Sequence, residues 1–213
     1  MLQSLRQHLF CKPHMARRLV VLLVSVTLMG FGIAVFDQLA FGTDPCSVLT
    51  LAISRKTGVE FGHIQLLFNI ALFAIIICMK EIRRIGLGSL ANMVLVGYAA
   101  DLGSFLLTRI HPLTGETLLM RSVIFVPTML LFLVAVAFYM VVDLGVAPYD
   151  ALPQIIAART KISFTIVRVS WDIAMIILGF LLGGVVGVVT IVTGFCVGPV
   201  VTAIADHFRK YFD

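Results

Sequence analysis

The chain has 213 residues, 60% hydrophobic and 13% charged, with a formal net charge of +5. A soluble domain carries about twice that charged fraction, which excludes an ordinary soluble enzyme or binding module. The basic excess has the sign of cytoplasmic loops in a membrane protein and is not a nucleic-acid footprint.

In chain order, the first apolar run covers residues 19–36 and follows Arg6, Lys12, Arg17 and Arg18. It is too long for a signal-peptide core and has no small-residue cleavage site, so it reads as a span. Residues 45–54 form a short apolar segment that opens with Pro45. The second span is 61–79 and ends at Lys80, Arg83 and Arg84. The third is 85–107, with Asp101 near its end, and a polar loop follows with Pro112 and Gly115. The fourth run, 122–142, is 21 residues without a charge. A second short segment, 148–157, opens with Pro148. The fifth span, 167–182, is interrupted by Arg168 and Asp172. A glycine turn at 183–187 leads to the sixth, 188–205, and Arg209 and Lys210 close the chain.

Six spans of roughly 20 residues each leave no room for a soluble domain. The expected organisation is a basic tail (1–18), a three-span unit (19–107), an outer loop (108–119), a second three-span unit (120–206) and a tail (207–213). With the N-terminus inside, eleven basic residues fall on the cytoplasmic side and four outside. That bias places both termini in the cytoplasm. The two proline-led segments are too short to cross the bilayer, and proline suits the first position of a helix. They are expected to be half-helices, re-entrant or interfacial.

The two units register on each other. A shift of 103 residues aligns Gly42 with Gly145, Pro45 with Pro148, Thr57 with Thr160 and Phe61 with Phe164. A shift of 101 then aligns Gly86 with Gly187, Ser89 with Thr190 and Gly97 with Gly198. An odd number of spans per unit forces the second copy to enter from the opposite side. The expected fold is therefore all-α, with six transmembrane helices as two inverted three-helix repeats. Such repeats, each with a broken helix, recur in secondary transporters.

The stretch Gly42-Thr43-Asp44-Pro45-Cys46-Ser47-Val48-Leu49, with Thr57-Gly58 and Phe61-Gly62, resembles the first half of the YczE-like integral membrane proteins. Leu144-Gly145-Val146-Ala147-Pro148-Tyr149-Asp150, Val167-Arg168 and Gly179-Phe180-Leu181-Leu182-Gly183-Gly184 resemble the second half. The resemblance runs over about residues 18–206. The YitT-like proteins share the plan more distantly. The resemblance implies a multi-pass protein of the bacterial cytoplasmic membrane and assigns no substrate. Ala147 stands where the family pattern has glycine, and Asp172 where glutamate is more usual.

A charge inside a span costs about 3 kcal/mol on insertion scales, so it needs a partner or a role. Arg168 and Asp172 are four residues apart and share a helix face. They form either a structural ion pair or a substrate and coupling site. The first unit has Gln65 and Asn69 at the equivalent positions. Asp44 is placed to cap the first half-helix and Asp150 to complement the dipole of the second. Asp101 is expected either in the cavity or in the outer interface near Arg109.

Gly179, Gly183 and Gly187, like Gly194 and Gly198, recur every four residues and suit close helix packing. They also suit a homodimer. Pro127 and Pro199 are candidate kinks, and Gly30 and Gly32 candidate hinges. The cysteines at 11, 46, 78 and 196 make no metal-spaced pair. The five histidines carry no HExxH pattern, and neither GxSxG nor a phosphate loop occurs.

No enzyme activity, metal or cofactor is therefore expected. The expected function is secondary transport of a small solute, its anionic group held by Arg168 and the half-helix N-termini. The candidate substrate site is Arg168, Asp172, Asn69, Gln65, Ser47 and Asp150, with Pro45 and Pro148 opening the half-helices. Asp172 and Asp101 are candidate proton carriers. The other reading is a non-transporting accessory or channel-like protein that modulates another system. The expected partners are the lipid bilayer and the solute, with no nucleic acid.

Overall fold

The computed structural model describes residues 14–195, 201, 203–205, 207 and 208, and among them there is no strand. The helices are α1 (Met15–Gln38), α2 (Pro45–Thr57), α3 (Phe61–Cys78), α4 (Leu87–Ile110), α5 (Leu118–Val141), α6 (Pro148–Thr160), α7 (Phe164–Leu181) and α8 (Val188–Phe195). Five of them, α1, α3, α4, α5 and α7, are long and apolar enough to cross a membrane. Cys196, Gly198 and Pro199 of the sixth apolar run, and Arg6, Cys11, Lys12, Arg209 and Lys210 of the tails, lie outside the described residues.

Element lengths match in pairs at the 103-residue shift. α1 and α5 have 24 residues each, α2 and α6 have 13 each, and α3 and α7 have 18 each. Each short helix is one turn longer than its apolar run. α2 starts where Asp44 Oδ1 accepts from the Ser47 N–H at 3.1 Å and Pro45 fills the first turn. It stops at Gly58, whose φ of 71° is cheap only for glycine. α6 starts at Pro148 with Asp150 in its first turn. Asp44→Ala is expected to cost about 1 kcal/mol, and Asp44→Asn a few tenths, because asparagine also caps. Unfolding in mixed micelles checks this; equal losses would show that the cap is not what Asp44 contributes.

Two backbone contacts tie helix starts to the chain that follows a distant helix. Val189 N–H donates to Phe41 O at 3.0 Å, and Gly88 N–H donates to Leu144 O at 2.8 Å. Next to them, Gly187 N–H donates to Thr190 Oγ1 at 3.3 Å and Gly86 N–H to Ser89 Oγ at 3.0 Å. So the start of α8 is held to the end of α1, and the start of α4 to the end of α5.

Packing divides the helices into two groups. Leu22, Val26, Ile33 and Phe36 of α1 join Val96 and Ala100 of α4 and Met129 and Phe132 of α5 in one core. Leu49 of α2, Leu72 and Ile76 of α3, Leu152 and Ile155 of α6 and Met175 of α7 form the other. The first short helix crosses to the second half: a Cβ on Gly179 of α7 would meet Val48 Cγ1 of α2 at 2.7 Å. The glycines at 179, 183 and 187 thus do not form one face. Gly179 packs on α2, Gly187 on Phe41, and Gly183 has nothing within 4 Å. Gly30 lies against Val96 and Ala99, which is close packing. α5 continues through Pro127.

The surface reverses the pattern of a water-soluble protein, and the apolar interior also holds a polar set. Leu67, Leu102, Phe105, Leu130, Ile166, Phe180 and Leu181 are each more than half exposed. Such a belt requires lipid around it. Inside, Ser47, Thr50, Gln65, Asn69, Ser89, Asn92 and Asp172 are buried. Arg18, read as part of the basic tail, instead lies within α1, is 5% exposed and donates to Val142 O at 2.9 Å. A cation there complements the C-terminal end of α5.

Candidate functional site

The starts of α2 and α6 meet across the molecule. Asp44, Pro45, Cys46 and Ser47 from one, and Ala147, Tyr149 and Asp150 from the other, line a single cavity of about 120 Å³. Gln65 and Asn69 of α3 and Arg168 of α7 complete its polar wall, with Asn92 of α4 and Thr193 of α8. Met29, Ile33, Val96, Phe132 and Val136 supply the apolar side. All eight helices reach it, and it sits on the seam between the two packing groups.

Each wall follows from local sequence. On α7, Arg168 and Asp172 are one turn apart, and Arg168 Nε donates to Asp172 Oδ2 at 2.9 Å. Arg168 NH1 also donates to Asp150 Oδ1, which joins α7 to the start of α6. Tyr149, one residue before Asp150, donates its hydroxyl to Asp172 Oδ1 at 2.6 Å and lies under the guanidinium. Asp172 is 3% exposed and stands behind Arg168 rather than on the cavity wall. The second half thus holds a closed network of one cation, two carboxylates and a phenol.

The first half is built differently at the same register. Thr50 Oγ1 donates to Gln65 Oε1 at 2.8 Å, and Gln65 Nε2 approaches Cys46 Sγ at 3.8 Å. Asn69 Nδ2 donates to Gln65 O at 2.9 Å. Asp44 Oδ2, Ser47 Oγ and Asn69 Oδ1 are buried with no partner among the described residues.

Of the residues singled out in the sequence, Arg168, Asn69, Gln65, Ser47, Asp150 and Pro45 come together at the cavity. Asp172 reaches it through Arg168, and Pro148 stands between two residues of the wall, Ala147 and Tyr149. Asp101 is elsewhere, neither in the cavity nor with Arg109. Its Oδ2 accepts from Gly62 N–H at 2.7 Å, so it caps the start of α3. Asp37, near the end of α1, pairs with Arg55.

Four residues of the cavity wall were not expected there from the sequence: Asp44, Tyr149, Asn92 and Thr193. The last two carried a usable signal. They coincide at the 101-residue shift, one turn beyond the Ser89–Thr190 match, and both are polar within apolar runs. Tyr149 carried none, because a tyrosine beside Pro148 fits a membrane interface equally well.

Among known proteins, an uncharacterized protein of Haemophilus influenzae is 33% identical over 183 residues, covering 85% of this chain and 80% of its own length. The uncharacterized membrane protein YczE of Bacillus subtilis is 23% identical over 191 residues, with 88% and 85% covered. The uncharacterized protein YyaS of the same organism is 24% identical over 175 residues, with 82% and 85% covered. No solved structure matches. The family of unknown function DUF6198 matches residues 16–206, so this integral membrane protein belongs to that family and is YczE-like.

Proposed function

We propose that this protein is a secondary transporter that moves a small solute by alternating access. Its six spans are two three-helix halves of opposite orientation, with both termini cytoplasmic and a proline-led half-helix in each. The observation that carries this reading is the meeting of the α2 and α6 starts at one cavity. Paired half-helix N-termini at a repeat interface are a transporter arrangement. The seam position supports a mechanism in which the α1, α4 and α5 group rocks against the α2, α3, α6 and α7 group. Exchanging the conformations of the halves then exposes the cavity to either side.

Among the described residues of the cavity wall, Ser47 Oγ has no partner and Cys46 Sγ meets only Gln65, which favours transport over catalysis. Counterflow tests it: protein in liposomes preloaded with unlabelled solute takes up labelled solute transiently, saturably and only when preloaded. A deletion phenotype with no flux for any of a broad solute panel assigns the accessory role instead.

Asp172 and Asp101 are the proposed carriers of a coupling proton, since intramembrane carboxylates serve as proton relays. Asp101→Asn keeps an acceptor for Gly62 N–H. It is expected to retain counterflow and lose accumulation driven by a proton gradient. Accumulation at the wild-type level would leave Asp101 as a helix cap alone, with Asp172→Asn as the parallel test.

A further inference from the structure

The cavity contains more negative charge than positive. Its wall holds two carboxylates, Asp44 and Asp150, against the one cation Arg168, which Asp172 also pairs from behind. The positive ends of α2 and α6 also have their own acids, Asp44 and Asp150. The features that suggested an anionic solute are therefore already answered within the protein.

Among the described residues, the first half's part of the cavity wall has acceptors and no cation. Asp44 Oδ2, Ser47 Oγ and Asn69 Oδ1 are unpartnered and buried. Ser47 and Asn69 are only 1% and 2% exposed, and all three residues line the cavity. A carboxylate oxygen and an amide oxygen can only accept. At the 103-residue shift Ser47 corresponds to Asp150, Gln65 to Arg168 and Asn69 to Asp172. In the second half a guanidinium stands between the two outer members of this trio. In the first half Gln65 is turned to Thr50 and Cys46, which leaves Ser47 Oγ and Asn69 Oδ1 without a donor.

We propose that the cavity binds a small solute through a protonated primary amine, in the place that Arg168 takes in the second half. An alkylammonium has three N–H donors, and the wall offers three acceptors. Asp44 compensates its charge, without which burial in the membrane would be prohibitive. A cavity of about 120 Å³ is smaller than the ~150 Å³ that admits benzene, which limits the solute to about five non-hydrogen atoms. This names the substrate class of the transport reading and rests on it for its biological sense.

Trp171 is the one tryptophan of the chain and its ring lies 5.9 Å from that of Tyr149, so it reports on the cavity. The full-length protein in detergent is titrated with methylammonium and propylammonium chloride, and with sodium chloride and sodium acetate at equal ionic strength. The amines are expected to give a saturable change in Trp171 fluorescence and a higher unfolding temperature, and the two sodium salts neither. Asp44→Asn keeps the helix cap and is expected to weaken amine binding about tenfold or more. Asn69→Asp places a second acid beside Asp44 among the three acceptors and is expected to tighten amine binding.

Saturation by acetate or by sodium, no saturation by any probe, or wild-type amine affinity in Asp44→Asn would overturn the proposal. Amine binding in detergent without counterflow in liposomes keeps the site and removes the transporter. Counterflow of an anionic or neutral solute without amine binding does the reverse.

Discussion

Arg168→Met is expected to destabilise the protein by about 3–5 kcal/mol, the usual loss when one partner of a buried ion pair is removed. The carboxylate of Asp172 is 3% exposed and keeps only the Tyr149 hydroxyl as partner after the change. Asp150 loses its partner too, but its side chain is 38% exposed and can be hydrated. The double variant Arg168→Met/Asp172→Leu removes both buried charges and is expected to recover at least half of the loss. Unfolding of both variants in mixed micelles checks this. A single variant as stable as wild type would show that the pair contributes nothing to the fold. Counterflow adds the second readout: recovery of stability without recovery of flux separates a role in the solute pathway from a role in holding α6 to α7.

Gly86→Ala and Gly187→Ala should each cost about 3 kcal/mol or more, at the upper end of overpacking. A Cβ on Gly86 would lie 2.1 Å from Leu144 O, and one on Gly187 2.3 Å from Phe41 O. Both obstacles are backbone, and each is tied by a hydrogen bond one or two residues away. No side chain can rotate aside, so the helix start must shift. Gly115→Ala is the control, because nothing lies within 4 Å of its added methyl. It is expected within about 0.5 kcal/mol of wild type. Equal behaviour of the three variants would show that these contacts do not hold the helix starts in place.

Much of the site was legible because its rules are local. Proline at a helix start and an acid before it predict α2 and its Asp44 cap, since capping involves residues three apart. Arg168 and Asp172 share a face because helix geometry brings i and i+4 together, and their hydrogen bond follows. The Gly86–Gly187 match was visible as a repeat of two glycines before Ser89 and Thr190. Its cause, a backbone approach too close for any Cβ, was not, because the opposing residues lie far along the chain.

Arg168 shows the limit most directly. An arginine within a span, read alone, points to an anion. Whether it is free for a ligand depends on Asp150, eighteen residues away on another helix. Asp101 shows the same limit: its contact with Gly62 N–H, 39 residues distant, was not visible in the sequence around it.

Composition and period therefore determined, without coordinates, a membrane protein of apolar helices with two short proline-led helices and a polar pair on the fifth run. These depend on the hydrophobic length needed to cross lipid and on contacts within one or two helical turns. Only the tertiary structure decided that the two short helices begin at one cavity, that Arg168 is already paired, and that Asp44, Ser47 and Asn69 are left with unpartnered oxygens. Those outcomes depend on how helices from the two halves cross. A crossing is set by the packing of glycines and large side chains distant in sequence, such as Gly179 against Val48, and no local pattern encodes it.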